Sequence, residues 1–288
     1  MKKVIVVLVS VVMSFMAIQP AHAEDQKVLA IIDTAIDSSR MTNVIHEVCF
    51  TYNNTCNNKA GYDEGPGSAR INNWKIKGAL HGFSMAQVAV QANPNVKIVF
   101  IRISDEKVYD TFSMIRNDGG SIARAIDWVS NNASRFNIKA VSISQSRSNF
   151  AAGTCPSDTL FEESVKKLKV QNVPTFVATG NDSKKNQIGF PACVSGVYSV
   201  AGTDAKNNIV RSSNVNATTS LLASTCFSFN KDACVETRDY FGVMRPIVGT
   251  STATVLAATL SISKNSLSNF DQFLATLPKS GNYPYLSK

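Results

Sequence analysis

An α/β architecture, with a mainly parallel central sheet flanked by helices on both faces, follows from three features of this 288-residue sequence. Five short runs rich in β-branched residues, at 27–33, 96–104, 139–144, 173–179 and 197–203, read as buried strands. Helical patterns lie between several of these runs, and that alternation needs crossover connections, which place helices on the faces of the sheet. The composition, 44% hydrophobic and 17% charged, is globular and excludes disordered, collagen-like and coiled-coil classes.

Taken in order, residues 1–23 stand apart. Lys2 and Lys3 precede an apolar run over 4–18, then Pro20 and Ala21-His22-Ala23, which is the pattern of a secretory signal peptide. The run is shorter than the roughly 20 residues a spanning helix needs. The expectation is a signal segment over 1–23 and a single domain over 24–288, exported to the periplasm or the extracellular space, with no stable membrane insertion after signal removal. The first strand then ends at Asp33. An Asn- and Gly-rich stretch at 53–73 reads as a surface loop, and 84–92 as a helix with Met85, Val88 and Ala89 on its inner face. Ile122, Ile126, Val129 and Ala133, at i, i+4, i+7 and i+11, form the apolar stripe of another helix. Thr159 followed by Glu162 resembles a capping box opening a helix to about residue 170. An irregular stretch at 212–243 precedes a last helical block at 250–263. In such a sheet, functional groups gather beyond the carboxyl ends of the strands.

Without Lys2 and Lys3 the chain keeps 27 basic against 21 acidic residues, and the basic ones are scattered with no interleaved aromatics. A nucleic-acid partner is therefore not expected. All six cysteines, Cys49, Cys56, Cys155, Cys193, Cys226 and Cys234, lie in the exported part, and an even number in an oxidising compartment points to disulfides. About 15 pairings exist in principle. Short spacing favours Cys49 with Cys56 and Cys226 with Cys234, leaving Cys155 with Cys193. No Cys-x-x-Cys is present, and His46-Glu47 begins a His-Glu-x-x-His pattern that fails at Phe50, so no metal ligand set is visible.

Three positions invite a joint reading: Asp33 at a strand end, His81 opening a helical segment, and Ser251 in Gly249-Thr250-Ser251-Thr252-Ala253. Singly, each has an ordinary explanation as a turn or cap residue. Only His46 and His81 survive signal removal, however, and the order Asp, His, Ser is one of the known orders of an acyl-transfer triad. That order resembles the subtilisin-like serine proteases. Ile31-Ile32-Asp33-Thr34-Ala35-Ile36-Asp37 is similar to the family's aspartate motif, His81-Gly82-Phe83-Ser84-Met85-Ala86 to its histidine block, and 249–254 to its Gly-Thr-Ser-Met-Ala-Thr block. Val177-Ala178-Thr179-Gly180-Asn181-Asp182 is similar to its Ala-Ala-Gly-Asn segment, and Phe190-Pro191-Ala192 with 197–204 continues the match.

The resemblance implies a subtilisin-like fold and an endopeptidase hydrolysing protein or peptide substrates through an acyl-enzyme. Ser251 would be the nucleophile, His81 the general base and then acid, Asp33 the group that orients the imidazole, and Asn181 an oxyanion donor. Ser144, Gln145 and Ser146 stand where the family usually has Ser-Leu-Gly beside the substrate groove, which makes them substrate-binding candidates. Cys155 and Cys193 fall where some secreted bacterial members carry a bridge. No cofactor is required. Calcium often stabilises the family, but the sequence locates no ligand set for it.

Several positions depart from the pattern. Ala35 replaces a glycine, Phe83 and Ser84 replace Thr-His, and Val255 replaces a proline. Nine residues, 24–32, separate the cleavage site from Asp33, too few for an inhibitory prosegment, so the chain is expected to fold unaided or with a separate inhibitor or folding partner. Two rivals fit the same residues: a non-catalytic peptide-binding pseudoprotease, and a specialised peptide-processing or ligating acyl-transfer enzyme.

Overall fold

The computed structural model describes residues 26–76, 78–108, 113–117, 119–225, 236–264 and 269–286. The signal segment and the Cys226–Cys234 pair lie outside them. The chain opens with β1 (Val28–Asp33), β2 (Val44–Phe50) and β3 (Tyr62–Glu64), then α1 (His81–Ala92) and β4 (Lys97–Arg102). An antiparallel pair, β5 (Ser104–Val108) and β6 (Ser113–Asn117), leads into α2 (Gly119–Asn132), β7 (Ile138–Ile143), β8 (Arg147–Ala151) and α3 (Thr159–Val170). Next come β9 (Thr175–Ala178), β10 (Gln187–Phe190), β11 (Tyr198–Thr203) and β12 (Leu221–Ser224). A small antiparallel pair, β13 (Glu236–Arg238) and β14 (Met244–Pro246), precedes α4 (Thr250–Lys264), α5 (Phe270–Thr276), β15 (Lys279–Ser280) and β16 (Tyr283–Leu286).

Among the described residues the main sheet has ten strands in the order β15-β16-β12-β11-β9-β7-β1-β4-β2-β3. It is parallel from β16 to β2, and each edge carries one short antiparallel strand. β1 lies inside, with β4 and β7 as neighbours. Its apolar run has the physical explanation expected of a two-sided strand, because side chains alternate between faces. Val28, Ala30 and Ile32 pack with Ile122, Ile126 and Val129 of α2 and Phe161, Val165 and Leu168 of α3. Leu29 and Ile31 pack with Phe83, Met85 and Ala86 of α1 and Ala253, Val255 and Leu256 of α4. Helices thus cover both faces, as the alternation of patterns requires. No helix among the described residues is long and apolar enough to cross a membrane.

Several details differ from the sequence reading, which also did not anticipate β5, β6, β8, β10, β12 to β16 or α5. β2, whose apolar run is interrupted by His46 and Glu47, was not anticipated, and the 53–73 loop contributes β3 against it. α1 begins at His81, three residues earlier than expected, because the chain ahead of it already turns: the His81 N–H donates to the Gly78 carbonyl at 3.1 Å. The cap of α3 is Asp158, whose carboxylate accepts from the Phe161 N–H at 3.1 Å, so Thr159 is the first helical residue. Glu162 still reaches back, accepting from the Asp158 N–H at 3.3 Å. Cys49–Cys56 and Cys155–Cys193 are bridged, with Cα atoms 5.9 and 5.5 Å apart.

Candidate active site

The carboxyl ends of β1, β7 and β9 open on one region, to which α1 and α4 each present their first turn. Asp33, fully buried, ends β1. Its Oδ1 accepts from His81 Nδ1 at 2.7 Å, from the Thr34 N–H at 2.6 Å and from Gln145 Nε2 at 2.9 Å, while Oδ2 is buried without a hydrogen-bond partner. The bond from Nδ1 directs Nε2 of a neutral imidazole to act as an acceptor.

Thr34 and Gly82 place the histidine; the close backbone approach that Gly82 permits is legible in the sequence, whereas the role of Thr34 is not. Thr34 Oγ1 donates to the Ala79 carbonyl at 3.2 Å and accepts from the Gly82 N–H at 2.9 Å, tying the end of β1 to the start of α1. A Cβ on Gly82 would lie 2.6 Å from the Ala35 carbonyl and 2.6 Å from the Phe100 ring, so only glycine allows this approach. The signal was present in the His81-Gly82 step, but its packing partner is distant in sequence.

His81 lies deep among neighbouring atoms, yet a third of its side-chain surface stays open. Burial alone would lower its pKa. The charge and hydrogen bond of Asp33 outweigh that and hold it above the ordinary 6.5.

Ser251 is the second residue of α4 and is 8% exposed. Its hydroxyl donates to the Ser144 carbonyl at 3.3 Å, and Ser144 Oγ donates back to the Ser251 carbonyl at 3.2 Å. Among the described residues no hydrogen bond joins His81 to Ser251. Such bonds are often long in substrate-free sites and tighten when substrate binds.

Asn181, on the exposed turn after β9, faces the same helix end. Its Oδ1 accepts from the Thr250 N–H at 2.9 Å and from Thr250 Oγ1 at 3.2 Å, which leaves its Nδ2 to donate elsewhere. Gly249, at φ +120°, lets this amide lie close: a Cβ there would stand 3.1 Å from Asn181 Oδ1. Thr225 fixes Gly249 from beneath, with its hydroxyl donating to the Gly249 carbonyl at 2.9 Å and accepting from its N–H at 2.8 Å. Buried Asn214 holds the turn itself, accepting from the N–H groups of Asp182 and Lys184, both at 2.9 Å. Thr225 and Asn214 come from the irregular part of the chain, where the sequence offers no periodic signal.

Of the groove candidates, Ser144 is buried against Ser251, Gln145 turns to Asp33 and His81, and Ser146 is exposed. Leu80, the residue before His81, lines an open cleft of about 610 Å³ with Trp74, Ile76, Phe241 and Arg245. His46 lies elsewhere, with Nε2 2.9 Å from Glu64 and its ring near Trp128 and Phe136, a structural setting. Among the described residues no three His, Cys, Asp or Glu side chains gather to hold a metal. Calcium, which favours several carboxylate oxygens, finds no such cluster among them.

Comparisons with known proteins bear on the family and the fold. A search of curated protein sequences returns no match. Among solved structures, the nisin leader peptidase NisP from Lactococcus lactis is similar at 17% identity and a TM-score of 0.67, over 91% of this chain and 86% of that one. A protease from Pseudoalteromonas arctica is similar at 17% identity and a TM-score of 0.65, covering 90% and 85%. The epidermin leader peptide processing serine protease from Staphylococcus aureus follows at 18% identity and a TM-score of 0.59, covering 83% and 65%. At these identities the likeness is one of fold. The family model described as the subtilase family matches residues 24–262, most of the sequence, and the chain therefore belongs to the subtilase family of subtilisin-like serine peptidases.

Proposed function

We propose that this protein is an exported endopeptidase that cleaves peptide bonds through an acyl-enzyme, with Asp33, His81 and Ser251 as its triad. The observation that carries the reading is the 2.7 Å bond from His81 Nδ1 to Asp33 Oδ1, made beside the first turn of α4, where Ser251 lies. In the reaction, neutral His81 takes the Ser251 proton on Nε2 as the hydroxyl oxygen bonds to the scissile carbonyl carbon. Asp33 stabilises the imidazolium without taking its proton. The oxyanion receives the Asn181 Nδ2 donor and the N-terminal end of α4, where unpaired N–H groups favour negative charge. His81 then protonates the leaving amine, and water attacks the acyl-enzyme by the same route in reverse. No cofactor enters.

The exposed side chains Phe241, Val243, Met244 and Val248 lie around β14, just ahead of the nucleophile. Together with the cleft at Leu80, they support recognition of an apolar stretch of substrate. A second reading, processing of one restricted peptide, is favoured by neighbours whose names describe leader-peptide processing. Export rests on the charged and apolar pattern of 1–23.

A fluorophosphonate probe tests the chemistry. Labelling of Ser251 in the wild type and its loss in His81→Ala supports the triad, whereas a folded wild type that takes no label is a peptide-binding protein only. Peptide-library products read by mass spectrometry separate broad cleavage from a single tolerated sequence and from ligated products.

A further inference from the structure

Asp33 Oδ1 carries three donors while Oδ2, equally buried, carries none. Two of the three are local or belong to the proposed triad: the Thr34 N–H and His81 Nδ1. The third arrives from another strand. Gln145 follows β7, and its Nε2 lies 2.9 Å from Asp33 Oδ1 and 3.3 Å from His81 Nδ1, so the amide bridges the junction of carboxylate and imidazole. The leucine usual in the matching motif could donate nothing here.

We propose that Gln145 is a positioning residue for the Asp33–His81 pair, one that fixes the carboxylate's orientation and takes a share of the accepting capacity His81 relies on. The inference rests on the assignment of Asp33 and His81 given above. An oxygen offers two lone pairs, so a third donor weakens the pull of Oδ1 on the imidazole proton. The Gln145 N–H also brings its partial positive charge toward Nδ1, which disfavours the imidazolium. Gln145 therefore works against the effect of Asp33 and keeps His81 able to act as a base at lower pH.

Arg102, the register partner of Asp33 on β4, donates to the Ser104 and Arg70 carbonyls, and Asp239 and Arg245, which line the cleft beside Leu80, pair with each other at 2.8 Å. α1 packs against β1, β13 and α4. Asp33 is the charge on β1 that acts on the imidazole. Glu236 and Arg238 of β13 meet later turns, where their carbonyls accept from Gln91 and Gln87. α4 has no charged side chain over 250–263.

The test compares Gln145→Met, which keeps the length of the side chain without its donor, and Gln145→Leu with the wild type. The acid limb of kcat/KM is expected to move to higher pH by about half a unit or more. The His81 imidazole titration, followed by NMR in a Ser251→Ala background, should move in the same direction. A side chain that only fills space would lower activity or Tm and leave both midpoints in place, and that result in a folded Gln145→Met protein overturns the proposal. If the NMR midpoint moves but the wild type hydrolyses no peptide, Gln145 keeps its role toward the pair and the peptidase reading fails instead.

Discussion

Asp33 and His81 set the pH behaviour expected of the site. The base form of His81 is neutral, so activity should fall as pH drops through a midpoint above 6.5, the direction imposed by the Asp33 carboxylate against burial. The same shift has a consequence for stability with the opposite pH sense. A histidine whose pKa rises on folding holds its proton more tightly when folded, so this contribution is complete below about pH 6.5 and is lost as pH rises through the folded value. The Tm difference between the wild type and His81→Ala should therefore be larger at acid than at alkaline pH; an equal difference across the range contradicts the ion pair. At Asn181, truncation to alanine removes both the proposed oxyanion donor and the acceptor for the Thr250 N–H. The family's documented loss for such an asparagine, about 10²–10³ in turnover, is carried over to this site, and kcat of Asn181→Ala with KM nearly unchanged is the measurement.

The elements bring these side chains together by close backbone approaches. α1 reaches β1 only because Gly82 has no Cβ, and Thr34 ties the two. Gly82→Ala forces a contact that backbone atoms cannot relieve, so a loss of about 1–3 kcal/mol is expected in denaturant titration. Probe labelling should fall at the same time, because His81 moves with the helix; a variant of normal stability and reactivity would show that the approach is looser than described. α4 runs without interruption past Val255, where the family pattern has proline, and its backbone donor there remains available. The first turn of α4 is held from two sides, by Asn181 at Thr250 and by Ser144 at Ser251.

Over the whole molecule, a core lies on each face of one sheet, and the two described bridges fasten loops, one tying Cys56 to Cys49 of β2 and the other joining Cys155 to Cys193. Cys155 and Cys193 close a loop of sequence separation 38 and pack against the core on the α2–α3 face, whereas α1 and α4, which carry His81 and Ser251, belong to the other core. Replacing both with alanine should cost about 2–4 kcal/mol in unfolding free energy, with the pH profile of activity unchanged. A shift of the acid limb in that variant would mean that the bridge supports the site as well as the fold.

The sequence by itself determined the architecture and the order of the chemical groups. Apolar runs that alternate with helical stripes leave only a two-faced sheet, because a strand with no polar face must be covered on both sides. The motifs around Asp33, His81, Asn181 and Ser251 name residue types whose reactivity is a property of the side chain. The tertiary structure alone decided distances and partners: that Asp33 Oδ1 serves three donors, that Ser251 rests on Ser144, that Asn214 and Thr225 hold two turns, and that Gln145 faces the Asp33–His81 pair rather than solvent. These contacts join positions 24 to 112 residues apart. Thr34, which meets Asp33 through its own N–H, is the local exception. Periodicity reports only which face of an element is buried, and the partner across a gap is chosen by how those faces pack.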